Sequence, residues 1–268
     1  MNFLFPSAGP REPGRPDKAS RKERKNPLVR KKQANRTSII LEEIMDVQIH
    51  PMRLGPGNAY VVRDQEAVLI DTGGPKNAVR FLDHLSRIPL KPTDIRLIVI
   101  THGHWDHIGS AKEIQLETGA AIAMHGRDKD CLEKGTMRMP PGVSAWGRVL
   151  SRVGAVLMPL VRLSTARVDL ELGDKPFSLA EYGISGRVMP TPGHSPGSVT
   201  VLLDTGEAFV GDAAMNAFPM RWGPGPPVFA EDLSQLKQSW RTLLDAGART
   251  IYPGHGRPFS AEVIKKYL

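Results

Sequence analysis

The sequence contains a single cysteine, Cys131, in 268 residues. No disulfide can form within the chain, and zinc sites built from several cysteines are excluded. Any bound metal ion must therefore be held by nitrogen and oxygen ligands. The scarcity of cysteine also agrees with a reducing compartment.

Long apolar runs are missing as well. No segment approaches the roughly 20 apolar residues that a membrane-spanning helix needs. The apolar start of the chain, MNFLF, is short and precedes the basic residues, whereas a secretory signal has basic residues first and then about 7–15 apolar ones. We therefore expect a cytoplasmic protein without a membrane span.

Excess charge is confined to the N-terminus. Residues 1–44 hold 11 Lys/Arg and 5 Asp/Glu, a net of +6, whereas the remaining residues hold 25 and 23, a net of +2. The first 38 residues are rich in Pro, Gly, Lys and Arg and lack a periodic apolar pattern, so we predict a disordered basic tail at 1–44 and a folded domain at 45–268. An arm for an anionic surface or nucleic acid is the alternative. Because the folded part is nearly neutral, we expect no nucleic-acid partner.

The pattern after residue 45 predicts an α/β fold. Short β-rich runs at 60–63 and 67–71 predict a hairpin, and a helix with Val79, Leu82 and Leu85 on one face is predicted after a proline. Further strands are predicted at 95–100, 120–124, 187–189, 198–203, 208–210 and 249–252, and further helices at 108–118 and 233–244. Strands in both halves, with helices after them, indicate sheets with helices outside them.

One apolar stretch, residues 143–163, does not fit this alternation. Its sequence, VSAWGRVLSRVGAVLMPLVRL, carries arginines at 148, 152 and 162. Helical spacing places on one side the residues Trp146, Val149, Leu150, Val153 and Leu157. This predicts a helical insert packed on the core, where it could cover a site; a membrane-surface helix or a homodimer contact is the alternative.

The densest group of reactive side chains follows the predicted strand 95–100, in the sequence THGHWDHIG. Within six residues stand His102, His104, Asp106 and His107. Imidazole nitrogen and carboxylate oxygen are good ligands for zinc and similar divalent ions. A lone buried histidine is usually structural, but four such groups on one loop after a strand predict a site for two ions.

Two more histidines and an aspartate lie in similar settings. His194 lies in TPGHSPG between two predicted strands, and His255 lies in PGHGRP just after a strand. Glycine and proline fix tight loops that let an imidazole reach an ion without bulk nearby. Asp212 ends the predicted strand in AFVGD, where a carboxylate could bridge two ions.

The order of these elements is that of a known family. From about residue 45 to 259 the chain resembles the metallo-β-lactamase-fold hydrolases, through the strand before Asp71-Thr-Gly and the HxHxDH, PGH, GD and GHG elements. The resemblance implies an αββα sandwich with the site at one edge between the two sheets. It also implies two sets of ligands: His102, His104 and His194 for a first ion, Asp106, His107 and His255 for a second, and Asp212 as the bridge.

The resemblance further implies a hydrolase that carries two divalent metal ions, with zinc expected and iron or manganese as alternatives. Two ions sharing a water would generate a bridging hydroxide that attacks an ester, lactone or thioester of a small molecule. Asp106 would both ligate an ion and orient this hydroxide. The alternatives are a phosphodiesterase or nuclease, and an iron-dependent persulfide oxidoreductase.

Subgroup features within the family are less specific. The true β-lactamases usually lack an aspartate at the bridging position, so Asp212 favours the branches similar to glyoxalase II and the lactonases. The lactonases carry a tyrosine that is missing from residues 215–222. The segment 216–229, which is rich in proline and aromatic residues and includes Arg221, could line a substrate pocket or form a surface loop.

Other polar residues receive supporting roles or none. The resemblance implies that Asp71 supports the ligand loop without binding an ion. His50, His84 and His125 have no partner motif and are expected to be structural or surface residues. Cys131 is expected to lie away from every ligand motif and to take no part in catalysis.

Overall fold

The computed structural model describes residues 47–137, 139–218 and 220–268. The predicted tail at 1–44 lies outside the described residues. The strands are β1 (Gln48–Leu54), β2 (Gly57–Arg63), β3 (Ala67–Ile70), β4 (Ile95–Val99), β5 (Ala121–His125), β6 (Leu170–Leu172), β7 (Phe177–Ser178), β8 (Gly186–Pro190), β9 (Val199–Leu203), β10 (Glu207–Gly211), β11 (Thr250–Pro253) and β12 (Phe259–Ser260). The helices are α1 (Ala78–Leu85), α2 (Trp105–Ile108), α3 (Ala111–Thr118), α4 (Lys129–Lys134), α5 (Ala145–Leu157), α6 (Leu233–Asp245) and α7 (Glu262–Lys265).

The strands form two six-stranded sheets, one from each half of the chain. The first sheet has the order β1-β2-β3-β4-β5-β6, and the second has the order β12-β11-β10-β9-β8-β7. The predicted hairpin is confirmed, with Tyr60 paired to Ile70 across antiparallel β2 and β3. Strands β3, β4 and β5 are parallel neighbours, and so are β10 and β11 in the second sheet.

The alternation of side chains along the strands sorts the core into layers. Ile98 packs on the helices outside the first sheet, whereas its neighbour Val99 packs between the sheets with Val201. Leu202 points the other way and packs with Trp240 of α6 outside the second sheet. This order of helices, sheet, sheet and helices is the αββα sandwich that the sequence predicted.

The inward face of α1 differs from the predicted one. Val79 is 80% exposed, while Phe81 and Leu85 are fully buried. Phe81 and Leu85 are four residues apart and therefore share one side of the helix. The predicted face of Val79, Leu82 and Leu85 is therefore confirmed for Leu82 and Leu85 and wrong for Val79.

The insert at 143–163 contains the predicted helix, and its ends, Val143 and Leu163, pack on the core. The prediction that the apolar stripe of the helix packs there is wrong. Helix α5 begins where the Ser144 hydroxyl accepts a hydrogen bond from the Gly147 N–H at 3.0 Å, which is typical of a helix N-cap. Trp146, Val149 and Val153 are 54%, 50% and 52% exposed. The apolar stripe is therefore a true helix face that points away from the fold. None of the helices within the described ranges is long and apolar enough to cross a membrane.

Candidate metal centre

The seven predicted donors come from loops that follow strands in both sheets. His102, His104, Asp106 and His107 follow β4, and His194 follows β8. Asp212 directly follows β10, and His255 lies two residues after the end of β11. Because the carboxyl ends of parallel strands meet at one edge of a sheet, and because the two sheets are packed face to face, these loops converge. Together they supply two groups of potential metal ligands.

The first group brings three imidazoles together. His104 Nδ1 lies 3.0 Å from His102 Nε2 and 3.0 Å from His194 Nε2. Asp212 Oδ2 lies 3.9 Å from His194 Nε2. Three ring nitrogens and a carboxylate oxygen thus face one small space, an arrangement that could hold a divalent ion.

The second group contains a carboxylate and two imidazoles. His255 Nε2 lies 3.0 Å from Asp106 Oδ2. Asp212 faces this group as well, with Oδ1 3.4 Å from His107 Nε2 and Oδ2 3.4 Å from His255 Nε2. Asp212 therefore lies between the two groups, as expected of a shared ligand.

Hydrogen bonds to backbone carbonyls on the far side of two rings fix which nitrogen faces the centre. His194 Nδ1 donates to the Phe229 carbonyl at 2.8 Å, and His255 Nδ1 donates to the Pro56 carbonyl at 3.1 Å. A carbonyl can only accept, so the proton is on Nδ1 and, in the neutral ring, the lone pair is on Nε2. This is the orientation of metal-binding histidines whose second nitrogen is held by the protein.

Asp71 orients the ligand loop, in agreement with the supporting role predicted for it. Its Oδ2 accepts from His107 Nδ1 at 2.8 Å, and its Oδ1 accepts from the Thr101 N–H at 2.8 Å. The Thr101 hydroxyl lies 2.8 Å from Asp71 Oδ2 and 3.1 Å from His102 Nδ1. If the hydroxyl donates to the carboxylate, it accepts from His102, and one aspartate orients a histidine in each group.

Two buried polar atoms of the site lack hydrogen-bond partners and are suited to contact a divalent ion. His107 Nε2 and Asp212 Oδ1 are buried and make no hydrogen bond within the described part of the chain, a condition that buried polar atoms in folded proteins rarely show. A Cβ on Gly254 would lie 2.5 Å from Asp212 Oδ1 and 2.5 Å from His107 Cε1. Glycine thus keeps open the space that these two atoms face.

Burial and charge separate the histidines into two classes. Burial and the neighbouring His194 lower the pKa of His104 to about 3, and burial likewise lowers the pKa of His102 and His194. Burial also acts to lower the pKa of His255, but Asp212 and Asp106 outweigh it and raise the pKa to about 10. Neighbouring carboxylates, of which Asp71 acts most strongly, also outweigh burial at His107 and raise its pKa well above the usual value.

This separation predicts unequal proton release on metal loading. At pH 7 the three imidazoles of the first group are neutral and can bind an ion without losing a proton. His107 and His255 are protonated and must each lose a proton to offer a lone pair. We expect titration calorimetry of metal-free protein, in buffers of different ionisation enthalpy, to show about two more protons released by the second ion. Equal release by both ions would contradict the assignment.

Asp128 is a buried residue that the sequence analysis missed. It accepts hydrogen bonds from the Gly103 N–H at 3.0 Å, the Ser195 hydroxyl at 2.6 Å and the Gly197 N–H at 2.9 Å. One carboxylate therefore fastens the loop of His102 and His104 to the loop of His194. Its position just beyond β5, the strand next to β4, was the only signal that could have indicated this role.

Cys131 was wrongly expected to lie away from the ligand motifs. A Cβ on Gly103 would meet the Cys131 Sγ at 2.6 Å, so the thiol packs against the ligand loop. Burial and the nearby Asp128 raise the pKa of the thiol to about 12. The thiol is therefore protonated at neutral pH and belongs to neither ligand group.

Replacing Asp128 with asparagine is expected to weaken metal binding in the first group about 10- to 100-fold, the usual range for residues that orient ligands. An amide cannot accept from three donors as a carboxylate does, so the two loops lose their common anchor. Competition with a chromophoric chelator would measure the change. Asp130→Asn, on the exposed side of α4, is the matched control, and equal affinities for the two variants would contradict the role.

The comparisons with known proteins agree with this geometry. The profile of the Metallo-beta-lactamase superfamily matches residues 52–255. The chain is 25% identical over 242 residues to the probable metallo-hydrolase YflN of Bacillus subtilis, covering 82% of this chain and 88% of that protein. It is also 25% identical over 177 residues to the hydroxyacylglutathione hydrolase GloC of Haemophilus influenzae, covering 63% and 71%.

A solved structure supports the fold independently. The BLEG-1 B3 metallo-beta-lactamase superposes with a TM-score of 0.59 at 24% identity, covering 80% of this chain and 95% of that one. At this identity the likeness concerns the fold alone. The sequence profile, which spans the ligand loops from β4 to His255, goes further: the chain belongs to the metallo-beta-lactamase superfamily.

Proposed function

We propose that the protein is a dinuclear metal-dependent hydrolase that cleaves an ester, lactone or thioester of a small molecule. The observation that carries the proposal is the position of Asp212, whose two oxygens face His107 and His255 at 3.4 Å and His194 at 3.9 Å. A carboxylate shared in this way suits two neighbouring ions. The similarity to a hydroxyacylglutathione hydrolase favours a carboxyl derivative over a phosphodiester.

Two ions, which we propose to be zinc, would supply a hydroxide nucleophile at neutral pH and polarise the substrate carbonyl. His102, His104 and His194 would hold one ion, and Asp106, His107 and His255 would hold the other, with Asp212 shared. The side chains of the protein would orient the nucleophile. Asp106 has an oxygen 3.0 Å from His255 Nε2, and we assign to this carboxylate the orientation of the attacking hydroxide.

The segment 216–229 is proposed to form one wall of the substrate site. At one end the Asn216 N–H donates to the His255 carbonyl at 2.9 Å, and at the other end the Phe229 carbonyl holds His194. The segment thus connects loops that carry ligands of both groups. Phe218 and Trp222 contact each other and are 68% and 84% exposed, so they could close on an apolar substrate.

The test combines elemental analysis with a substrate panel. We expect two equivalents of metal per chain, and turnover of lactones, thioesters or simple esters at least about 100-fold faster than turnover of phosphodiesters or β-lactams, as expected when one reaction class is favoured by a few kcal/mol. Preferred cleavage of a phosphodiester would overturn the substrate class. A single bound iron with oxygen consumption would overturn the hydrolase itself.

A further inference from the structure

Helix α5 and the turn after it expose a continuous apolar face. Its members are large, each is at least half exposed, and together they define the α5 face: Trp146, Val149, Val153, Val156, Leu157 and Leu160. At 100° per residue, the five that lie in α5 occupy about a quarter to a third of the helix circumference. Isolated exposed apolar residues are ordinary, but a contiguous patch of this kind usually marks an interaction surface.

Small side chains hold the opposite side of the helix against the fold. Gly147 packs against the Val228 carbonyl, and Gly154 packs against Met139. Between them the Ser151 hydroxyl donates to the Pro140 carbonyl at 2.7 Å. A surface helix normally turns its apolar stripe inward. In α5 the stripe points outward, so the bulky residues do not stabilise the fold.

The sequence that includes and flanks α5 carries charge of one sign. Residues 135–168 contain five arginines and no aspartate or glutamate. Arg148 and Arg152 are exposed beside the α5 face. Two copies of the chain would bring these arginines together if they associated through this face, whereas an anionic surface would attract them.

We propose that the α5 face docks on the surface of a bilayer that contains anionic phospholipids. A 13-residue helix is about 20 Å long at 1.5 Å per residue, too short to cross a hydrocarbon core of about 30 Å. A helix with aliphatic residues and a tryptophan on one side and arginines at its flank lies in the plane of the headgroups. The α5 face has this composition.

The start of α5 is linked to a residue that holds one of the candidate ligands. Just before the helix, the Val143 N–H donates to the Val228 carbonyl at 2.8 Å. The next residue, Phe229, holds His194 through its carbonyl. The proposal does not depend on which substrate is cleaved, since lipid binding can be measured without any reaction.

The experiment is sedimentation of the full-length, zinc-loaded protein with vesicles of phosphatidylcholine alone or with about 30% phosphatidylglycerol, an anionic fraction that gives a clear negative surface potential. The test variant is Val153→Glu with Val156→Glu. The matched control is Val79→Glu with Leu116→Glu, two apolar residues of other helices that are 80% and 72% exposed. We expect wild type and control to bind anionic vesicles equally, and the test variant at least about tenfold more weakly, a change of 1.4 kcal/mol or more.

Several outcomes would overturn the proposal. The basic N-terminal residues are present in every variant, so equal binding by all three proteins would assign lipid binding to them instead. The wild-type protein could instead form a dimer and bind no lipid. If the test variant were then a monomer, the α5 face would be assigned to self-association. If circular dichroism showed that the test variant does not fold, a second measurement would test the proposal: quenching of the protein's tryptophan fluorescence by brominated lipid. We expect Trp146→Phe to remove most of the quenching, and unchanged quenching would contradict the proposal.

Discussion

Replacing Asp212 with asparagine is expected to lower kcat/KM at least about 1000-fold, equivalent to about 4 kcal/mol of lost transition-state stabilisation. The amide keeps the shape of the side chain but removes the charge that both ligand groups face. It also replaces with an N–H₂ group one of the two oxygens, of which Oδ1 lies 3.4 Å from His107 and Oδ2 lies 3.4 Å from His255. We expect elemental analysis to show about one metal ion per chain instead of two, since the shared ligand is lost.

The matched control for Asp212 is Asp204→Asn. Asp204 follows β9 in the same sheet, and its exposed carboxylate contacts Arg187 at 3.3 Å. This variant should keep both ions and its full kcat/KM. If Asp212→Asn also kept two ions and remained within tenfold of wild type, the proposal of a shared carboxylate would be wrong.

Replacing Asp71 with alanine is expected to destabilise the metal-free protein by about 3–5 kcal/mol, the usual cost of removing one partner of a buried ion pair. The change leaves His107 and the Thr101 N–H without their buried acceptor. Asp71 also has a left-handed backbone with φ of 59°, which alanine adopts at a cost of about 1–2 kcal/mol. Urea denaturation followed by circular dichroism would measure the loss.

The pH dependence of this loss has a definite sign. The folded-state pKa of His107 is raised above the ordinary value of 6.5, so its ion pair with Asp71 contributes fully below pH 6.5. The contribution is lost as the pH rises through the folded-state pKa. The variant Asp71→Asn separates the effect of backbone strain from the effect of the lost charge, because asparagine tolerates the left-handed backbone. A loss below about 1 kcal/mol for Asp71→Ala near pH 6 would contradict the assigned role.

The candidate donors were recognisable in the sequence because each lies in a loop that follows a strand. The order of the motifs from His102 to His255 then selected one family and, with it, one fold. The residues that orient the donors were not predictable to the same extent. The Pro56 and Phe229 carbonyls carry no side-chain signal, and Asp128 contacts residues that lie far away in the sequence.

Helix faces were harder to predict than helices. The apolar period of residues 143–163 correctly indicated a helix, but a period does not tell which side is buried. In α5 the inward side is made by Gly147, Ser151 and Gly154, whose small size lets the backbone approach the fold. Such residues add little to an apolar pattern, so the pattern pointed to the exposed side.

The division of the ligands between the two sheets has a mechanical consequence. Each group joins residues of the loop after β4 to residues that lie at least 90 positions later, from His104 to His194 at the nearest. Ions held there would act as reversible cross-links that close long loops, as disulfides do in other proteins. A chain with one cysteine cannot form such a link covalently. Its resistance to unfolding would then rise and fall with the supply of metal in its surroundings.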